Sequence, residues 1–184
     1  PAVVTEGLVQ SPYCEDSFVA REGLTASLRA RIDAGFFFVQ DLSSSLAVAA
    51  AAPKRGERVL DLCAAPGGKS LAAADLMRGE GRVISADLSP QKVERIAENV
   101  ARTGFAACVT PEQSDAAVFR KDWETAFDLV IADLPCSGLG VLGRKPDIKL
   151  RLKEADIAAL RELQRNFLCN AVRYLRPGGR LLYS

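Results

Sequence analysis

The stretch Arg58-Val-Leu-Asp-Leu-Cys-Ala-Ala-Pro-Gly-Gly-Lys69 joins an apolar strand to a glycine-containing loop and the start of a helix. The strand is predicted over 58–63 and the helix over 66–77. Short apolar runs and helical periodicity then alternate to the end of the chain. They predict strands at 82–87, 107–110, 127–133 and from 180 onward, with helices at 89–104 and 153–175. This alternation is typical of a mainly parallel sheet with helices on both faces, so we predict a Rossmann-like α/β fold.

Composition narrows the chemistry that the chain can perform. Its 184 residues fit one domain with a small N-terminal segment, and 24 basic against 23 acidic residues leave a net charge of +1. The absence of histidine excludes Ser-His-Asp triads, Cys-His dyads and histidine metal sites. Five scattered cysteines without a CxxC pair predict reduced thiols and no metal. No basic-then-apolar leader and no run of about 18 apolar residues occurs, so we expect a cytoplasmic protein without a membrane segment.

The chain divides by pattern into residues 1–54 and residues 55–184. Residues 1–54 hold turn residues, short apolar pieces and an alanine-rich helix at 41–52. We interpret them as the end of a preceding domain plus a lead-in helix, with Phe36, Phe37 and Phe38 in a core rather than in a base-stacking platform. The chain starts at Pro1 and stops at Ser184 inside a predicted strand. We therefore expect a fragment of a longer protein, truncated after the fifth strand of the α/β domain.

The loop after the first α/β strand lies where parallel sheets bind cofactors, and three kinds of site compete for it. A dinucleotide site needs GxGxxG, which is absent. A P-loop needs GxxxxGK[ST], and residues 63–70 match it except at the first glycine. An NTPase is therefore the main rival, and the strand at 127–133 resembles its Mg-holding strand. Against it, Cys63 replaces that glycine and Pro66 lacks an N–H group.

The third candidate for the loop is a site for an adenosyl cofactor. Gly67 and Gly68 allow a ligand close to the backbone, beside the free N–H groups of a helix start. Asp87 ends the next strand and is placed to accept both ribose hydroxyls. S-adenosylmethionine fits the loop, the acid and the sheet together. The simpler alternative for Asp87 is that it only precedes the N-cap Ser89.

The loop after the 127–133 strand pairs a carboxylate with a thiol. Asp133 and Cys136 stand three residues apart, and the switch-point rule places their loop next to the cofactor loop. Cytosine C5 is a poor nucleophile until a thiolate adds to C6, and an acid near N3 assists that addition. This pairing indicates pyrimidine chemistry. The alternative for Cys136 is a small apolar residue in a tight loop.

Four motifs together resemble the RNA cytosine-5 methyltransferases of the Sun/Nop2 family, and in particular the bacterial 16S rRNA enzymes. They are Val59-Leu-Asp-Leu-Cys-Ala-Ala-Pro-Gly-Gly-Lys69, Asp133-Leu-Pro-Cys-Ser-Gly138, Arg144-Lys-Pro-Asp147 and Val39-Gln-Asp-Leu-Ser-Ser44. The resemblance runs from about residue 35 to the end, and Leu134 stands where the family usually has alanine. It implies a class I methyltransferase domain at 55–184, preceded at 1–54 by the end of an RNA-binding subdomain, and 16S rRNA as partner.

The resemblance also implies a role for each site residue. S-adenosylmethionine would be bound at its methionine end by the loop 63–69, at its ribose by Asp87 and at its adenine by Asp115. Asp133 would lie between cofactor and target base, where Lys69 would also reach. Cys136 would assist product release, while the attacking cysteine of a Thr-Cys pair would follow the fifth strand, beyond Ser184. We therefore expect the fragment to be inactive. The residues implied for the cofactor loop are Cys63, Ala64, Ala65, Pro66, Gly67, Gly68 and Lys69.

Basic residues follow the Cys136 loop directly. The predicted RNA-binding residues are Arg144, Lys145, Lys149 and Arg151. Phosphate contacts position a nucleic acid, so a local patch beside the chemistry suffices even when the net charge is near zero. The alternative is a solvated charged face. A non-catalytic RNA-binding module with a vestigial cofactor loop is the third function that the sequence leaves open.

Overall fold

The computed structural model describes residues 7–14, 16–21, 23–143 and 146–184. An N-terminal segment holds the antiparallel pair β1 (Leu8–Gln10) and β2 (Phe18–Ala20), followed by α1 (Ala26–Asp33) and α2 (Leu42–Ala51). The remaining strands are β3 (Arg58–Asp61), β4 (Arg82–Asp87), β5 (Val109–Gln113), β6 (Phe127–Ala132) and β7 (Leu175–Tyr183). The remaining helices are α3 (Gly68–Leu76), α4 (Pro90–Thr103), α5 (Ile148–Arg151) and α6 (Glu154–Tyr174), with 3-10 turns at Lys121–Trp123 and Leu139–Val141.

The five strands β3 to β7 form one parallel sheet in the order β5-β4-β3-β6-β7. The central strand β3 therefore pairs with β4 on one side and with β6 on the other. Parallel pairing brings the carboxyl ends of β3 and β6 side by side, at the point where the strand order reverses. This order confirms the Rossmann-like prediction and the predicted adjacency of the two loops.

Helices cover both faces of the sheet because side chains of a strand alternate between faces. On one face Val59 and Leu129 are fully buried with residues of α2, α3 and α4, among them Val48. On the other face Leu60 packs with residues of α6, among them Tyr174. All six residues of β6 are buried, as expected of a central strand covered on both faces. Each fully buried aliphatic side chain contributes about 1.5 to 3 kcal/mol to the stability of the folded state, relative to an exposed side chain.

The ends of α4 lie where the sequence predicts them. Pro90 occupies the first turn, and Gly104 takes the left-handed conformation (φ +78°) that ends the helix. Ser89 stands at the N-cap position, but its hydroxyl donates to Gln91 Oε1 at 2.8 Å and makes no capping bond. The predicted N-cap position is therefore confirmed, and no side-chain capping bond forms there.

Two strands start elsewhere than predicted. The weak third strand lies at Val109–Gln113, because the N–H groups of Cys108 and Val109 are bound in a turn to the Phe105 carbonyl. Its Pro111 is tolerated because β5 is an edge strand. The last strand begins at Leu175 rather than at 180. Its register against β6 shifts at residues 177–179, which form a bulge.

The three phenylalanines of the N-terminal segment have different environments. Phe38 packs against the core, and the ring of Phe37 lies 6.4 Å from that of Phe18. Phe36 is 74% exposed, so the prediction that it is a core residue is wrong. Within the ranges described above, no helix is long and apolar enough to span a bilayer, and no group of three acidic or cysteine side chains is placed to hold a metal ion.

Candidate active site

The loops after β3 and β6 are joined by one ion pair. Lys69 Nζ lies 2.5 Å from Asp133 Oδ2 and 3.4 Å from Ser44 Oγ. The lysine side chain is only 11% exposed, whereas that of Asp133 is 42% exposed. The buried Lys69 ammonium is therefore paired with Asp133, whose carboxylate remains accessible. A P-loop lysine has to reach phosphates instead, so this pairing argues against the NTPase reading.

The cofactor loop itself is tightly folded and in close contact with its neighbours. Gly67 has φ +101°, and its N–H donates to the Ala64 carbonyl at 2.6 Å. A side chain at Gly67 would lie 3.4 Å from Ile96 of α4, and one at Gly68 would lie 3.3 Å from Gln40 Nε2. Helix α3 starts at Gly68, so its unpaired first-turn N–H groups face this loop. The loop thus offers backbone N–H donors at glycines, which have no side chains of their own to block a ligand.

The motif at 39–44 lies against this loop, which explains why it accompanies the cofactor motif in the sequence. Gln40 faces Gly68, and its Oε1 accepts a hydrogen bond from Ser45 Oγ at 3.0 Å. Ser44 lies beside the Lys69 ammonium. Helix α2, which carries both serines, buries Val48 completely in the core formed with α3. Residues 40–48 therefore form one wall of the site.

Asp87 lies beside the loop, at the end of β4. Its side chain is 5% exposed and contacts Lys92 Nζ at 3.4 Å. Its Oδ2 accepts the N–H of Ala65 at 3.2 Å, and its Oδ1 accepts that of Ser89 at 3.4 Å. The carboxylate therefore supports both the following turn and the cofactor loop, and its contact with a ribose stays a prediction. Oδ1 already faces two donors, whereas Oδ2 has a second lone pair that a ribose hydroxyl could use.

A buried polar network that was not predicted from the sequence lies beneath the loop. Asp61 is 1% exposed. Its Oδ2 accepts a hydrogen bond from Ser70 Oγ at 2.8 Å, and this same hydroxyl oxygen lies 2.7 Å from Ser85 Oγ. Its Oδ1 has no hydrogen-bond partner among the described residues. Burial raises the pKa of Asp61 to about 7, although Ser70 and Lys69 oppose the shift. A carboxylate in an otherwise apolar strand, Val59-Leu-Asp-Leu62, is the sequence signal that identifies it.

The two cysteines of the site differ in accessibility. Burial, together with the neighbouring carboxylates of Asp61 and Asp87, raises the pKa of the Cys63 thiol to about 12. Cys63 is therefore a neutral thiol and no nucleophile. Cys136 is exposed, so its thiol can meet a substrate.

The backbone ahead of Cys136 is fixed by several contacts. Leu134 N–H donates to the Ser184 carbonyl at 3.1 Å, and Ser184 Oγ donates to Asp133 Oδ1 at 3.0 Å. Gln164 Nε2 of α6 donates to the Pro135 carbonyl at 2.8 Å. The end of β7 therefore lies next to Asp133, and the Cys136 loop leaves the sheet from an anchored position.

The remaining predicted residues lie around this centre or outside the described part. Ser114 N–H donates to the Asp87 carbonyl at 3.0 Å, which brings Asp115 to the same sheet edge. Asp115 Oδ1 accepts the N–H of Ala117 at 2.8 Å. Leu88, which the sequence did not indicate, is 61% exposed beside Asp87 and provides an apolar surface there.

Of the predicted RNA-binding residues, Lys149 is exposed. Arg144 and Lys145 lie outside the described residues, as does the side chain of Arg151.

Comparison with known proteins shows the family to which the chain belongs. The family model of the 16S rRNA methyltransferase RsmB/F matches residues 48–184. The probable ribosomal RNA small subunit methyltransferase B of Bacillus subtilis is 44% identical over 147 residues, which cover 79% of this chain and 33% of that protein. The chain thus spans about a third of the length of the curated relatives that it matches.

Two solved structures share the fold at recognisable sequence identity. The crystal structure of PH0851 has a TM-score of 0.87 and 33% identity, covering 96% of this chain and 40% of that one. The structure of NSun6 from Pyrococcus horikoshii with SFG has a TM-score of 0.70 and 29% identity, covering 82% and 38%. The Sun/Nop2 resemblance is thereby confirmed. With the family model matching most of its length, the chain belongs to the 16S rRNA methyltransferase RsmB/F family.

Proposed function

We propose that the protein carrying this chain transfers a methyl group from S-adenosylmethionine to C5 of a cytosine in 16S rRNA. The observation that carries the proposal is the Lys69–Asp133 pair, which joins the cofactor loop to the loop that presents Cys136. Methyl donor and target base have to meet between two such loops. A 16S rRNA substrate would also place the protein in the cytoplasm.

The residues around the cofactor loop fit S-adenosylmethionine. The unpartnered Asp61 Oδ1 and the backbone donors near Gly68 suit the charged amino-acid end. The buried Asp87 suits a ribose, and the exposed Leu88 with the nearby Asp115 suits an adenine. We therefore assign the methionine end to residues 63–69, the ribose to Asp87 and the adenine to Leu88 and Asp115. When bound, the cofactor supplies the electrophilic methyl group.

The residues on the base side divide the remaining chemistry. A thiolate adds to cytosine C6, which makes C5 nucleophilic towards the methyl group. The accessible Asp133 carboxylate lies at the base edge, and its pair with the buried Lys69 ammonium can supply a proton there and balance the charge that develops. After transfer, a base accepts the C5 proton, the C5–C6 double bond re-forms and the attacking thiolate leaves C6. We assign assistance of this release step, as acceptor of that proton, to Cys136. The attacking cysteine is expected after Ser184, which follows β7 and whose hydroxyl donates to Asp133.

RNA binding completes the proposal. Lys149 lies exposed on α5, directly after the Cys136 loop, and we place RNA phosphates on this segment together with Arg144, Lys145 and Arg151. Phosphate contacts there would orient the strand so that a single cytosine reaches Asp133.

Calorimetry separates this proposal from its rivals. Titration of the chain with S-adenosylhomocysteine should show binding, and titration with ATP-Mg should show none. Binding of ATP-Mg alone would return the NTPase reading, and binding of neither ligand would leave an RNA-binding module. A second titration with the Gly68→Val variant, in which the side chain would meet Gln40, should abolish the S-adenosylhomocysteine signal.

A further inference from the structure

Three residues on one face of α4 contact the cofactor loop and the turn between α1 and α2. Ile96, Asn99 and Arg102 follow each other at intervals of three, which places them along one side of the helix. Ile96 lies 3.4 Å from the position that a side chain at Gly67 would take. Asn99 Nδ2 donates to the carbonyl of Pro66 at 2.9 Å. Helix α4 therefore fixes the middle of the cofactor loop by both packing and a hydrogen bond.

The same asparagine is bound to the next residue of the face. Arg102 Nη2 donates to Asn99 Oδ1 at 2.9 Å, so both ends of the amide are engaged and its orientation is determined. Arg102 Nη1 donates to the carbonyls of Ile32 at 2.5 Å and of Phe37 at 3.2 Å. The Ile32 carbonyl belongs to the last turn of α1, and the Phe37 carbonyl belongs to the segment that follows this helix. One continuous set of hydrogen bonds thus runs from Pro66 to residues 32–37.

The turn at 32–37 has little freedom to move without disturbing α4. Gly35 has φ +85°, and a Cβ there would lie 1.8 Å from the Arg102 carbonyl oxygen, a distance that forces the backbone apart. Immediately after the turn, Phe38 enters the core and Gln40 contacts Gly68. The turn is therefore held against α4 on one side and against the cofactor loop on the other.

We propose that Asn99 is a positioning residue for the cofactor loop, and that through Arg102 it couples cofactor affinity to the turn at 32–37. The proposal rests on the cofactor site proposed above. Neither residue touches the cofactor in this reading, because Asn99 acts on the Pro66 carbonyl and Arg102 acts on Asn99. An event that displaces the turn, such as RNA binding to the exposed Phe36 at its tip, would then change the affinity of the cofactor loop for its cofactor, because both contact the same face of α4.

The Asn99→Asp variant breaks one link and keeps the other. Its carboxylate still accepts from Arg102 but can no longer donate to Pro66, so the fold should be retained while the loop loosens. We expect S-adenosylhomocysteine to bind about three- to tenfold more weakly, with an unchanged melting temperature. Hydrogen exchange should become faster at the hydrogen-bonded loop amides of Ala65 and Gly67. Arg102→Lys, which cannot serve both carbonyls and Asn99, should weaken binding similarly and also expose the amides of 35–38.

The control is Glu98→Gln, an exchange of carboxylate and amide at the neighbouring, exposed position of α4. It should leave cofactor affinity and exchange unchanged. If wild type binds S-adenosylhomocysteine and Asn99→Asp binds it equally well, the coupling proposal is wrong while the cofactor site stands. If wild type itself does not bind, the proposed function fails first. In that case faster exchange at Ala65 and Gly67 in Asn99→Asp would still support the positioning role, and unchanged exchange at these two amides would overturn it.

Discussion

Replacement of Asp61 by asparagine should alter how the stability of the protein depends on pH. Burial raises the pKa of this carboxyl from about 3.8 to about 7, so the folded protein holds a proton that the unfolded chain releases. Between these two values the folded state binds more protons, and stability falls as pH rises. Three pKa units correspond to about 4 kcal/mol in full, of which about 2 to 3 kcal/mol is lost between pH 5 and pH 8.

Asparagine has no charge to desolvate, accepts from Ser70 in the same way, and places its amide where Oδ1 lacks a partner. Urea unfolding at pH 5 and pH 8 measures the effect as a change in the free energy of unfolding. Asp61→Asn should gain about 2 to 3 kcal/mol relative to wild type between these two conditions. The exposed Asp33→Asn serves as the matched control and should follow wild type. An identical pH dependence of wild type and Asp61→Asn would refute a buried carboxyl with a raised pKa.

Two further variants probe the cofactor and RNA surfaces. Asp87→Ala removes the carboxylate that supports Ala65 and the proposed ribose contact, so calorimetry should show S-adenosylhomocysteine binding weakened by about 1 to 3 kcal/mol; equal affinities would remove Asp87 from the site. Lys149→Ala should weaken RNA binding alike for all sequences and lower the slope of log affinity against log salt by about one, whereas a slope equal to that of wild type would make this segment an ordinary solvated face.

The architecture of the α/β domain could be predicted because its signals are local. An apolar run followed by glycines gives β3 and its loop, and Pro90 with Gly104 gives the bounds of α4. The switch-point rule predicted that the loops after β3 and β6 are neighbours, whereas the ion pair between Lys69 and Asp133 was not predicted. The bulge in β7 was not predictable, since it depends on register against β6.

The parts of the site that the sequence missed depend on contacts between distant residues. The orphaned Oδ1 of Asp61 is evident only once Ser70 and Ser85 are placed around it. Likewise, Asn99 and Pro66 are 33 residues apart, and no periodicity in either segment indicates that they meet. The motif at 39–44 was recognised only through its family resemblance, and its contact with Gly68 supplies the physical reason.

The role of Cys136 in a covalent mechanism is the most direct test of the proposed function. The longer protein that the sequence predicts should be incubated with 16S rRNA and S-adenosylmethionine, and its products separated by denaturing electrophoresis. Because addition to C6 precedes release, Cys136→Ala should accumulate a protein–RNA species, while replacement of the cysteine expected after β7 should form none. An adduct that appears only in the variant lacking that downstream cysteine would contradict the account and make Cys136 the nucleophile.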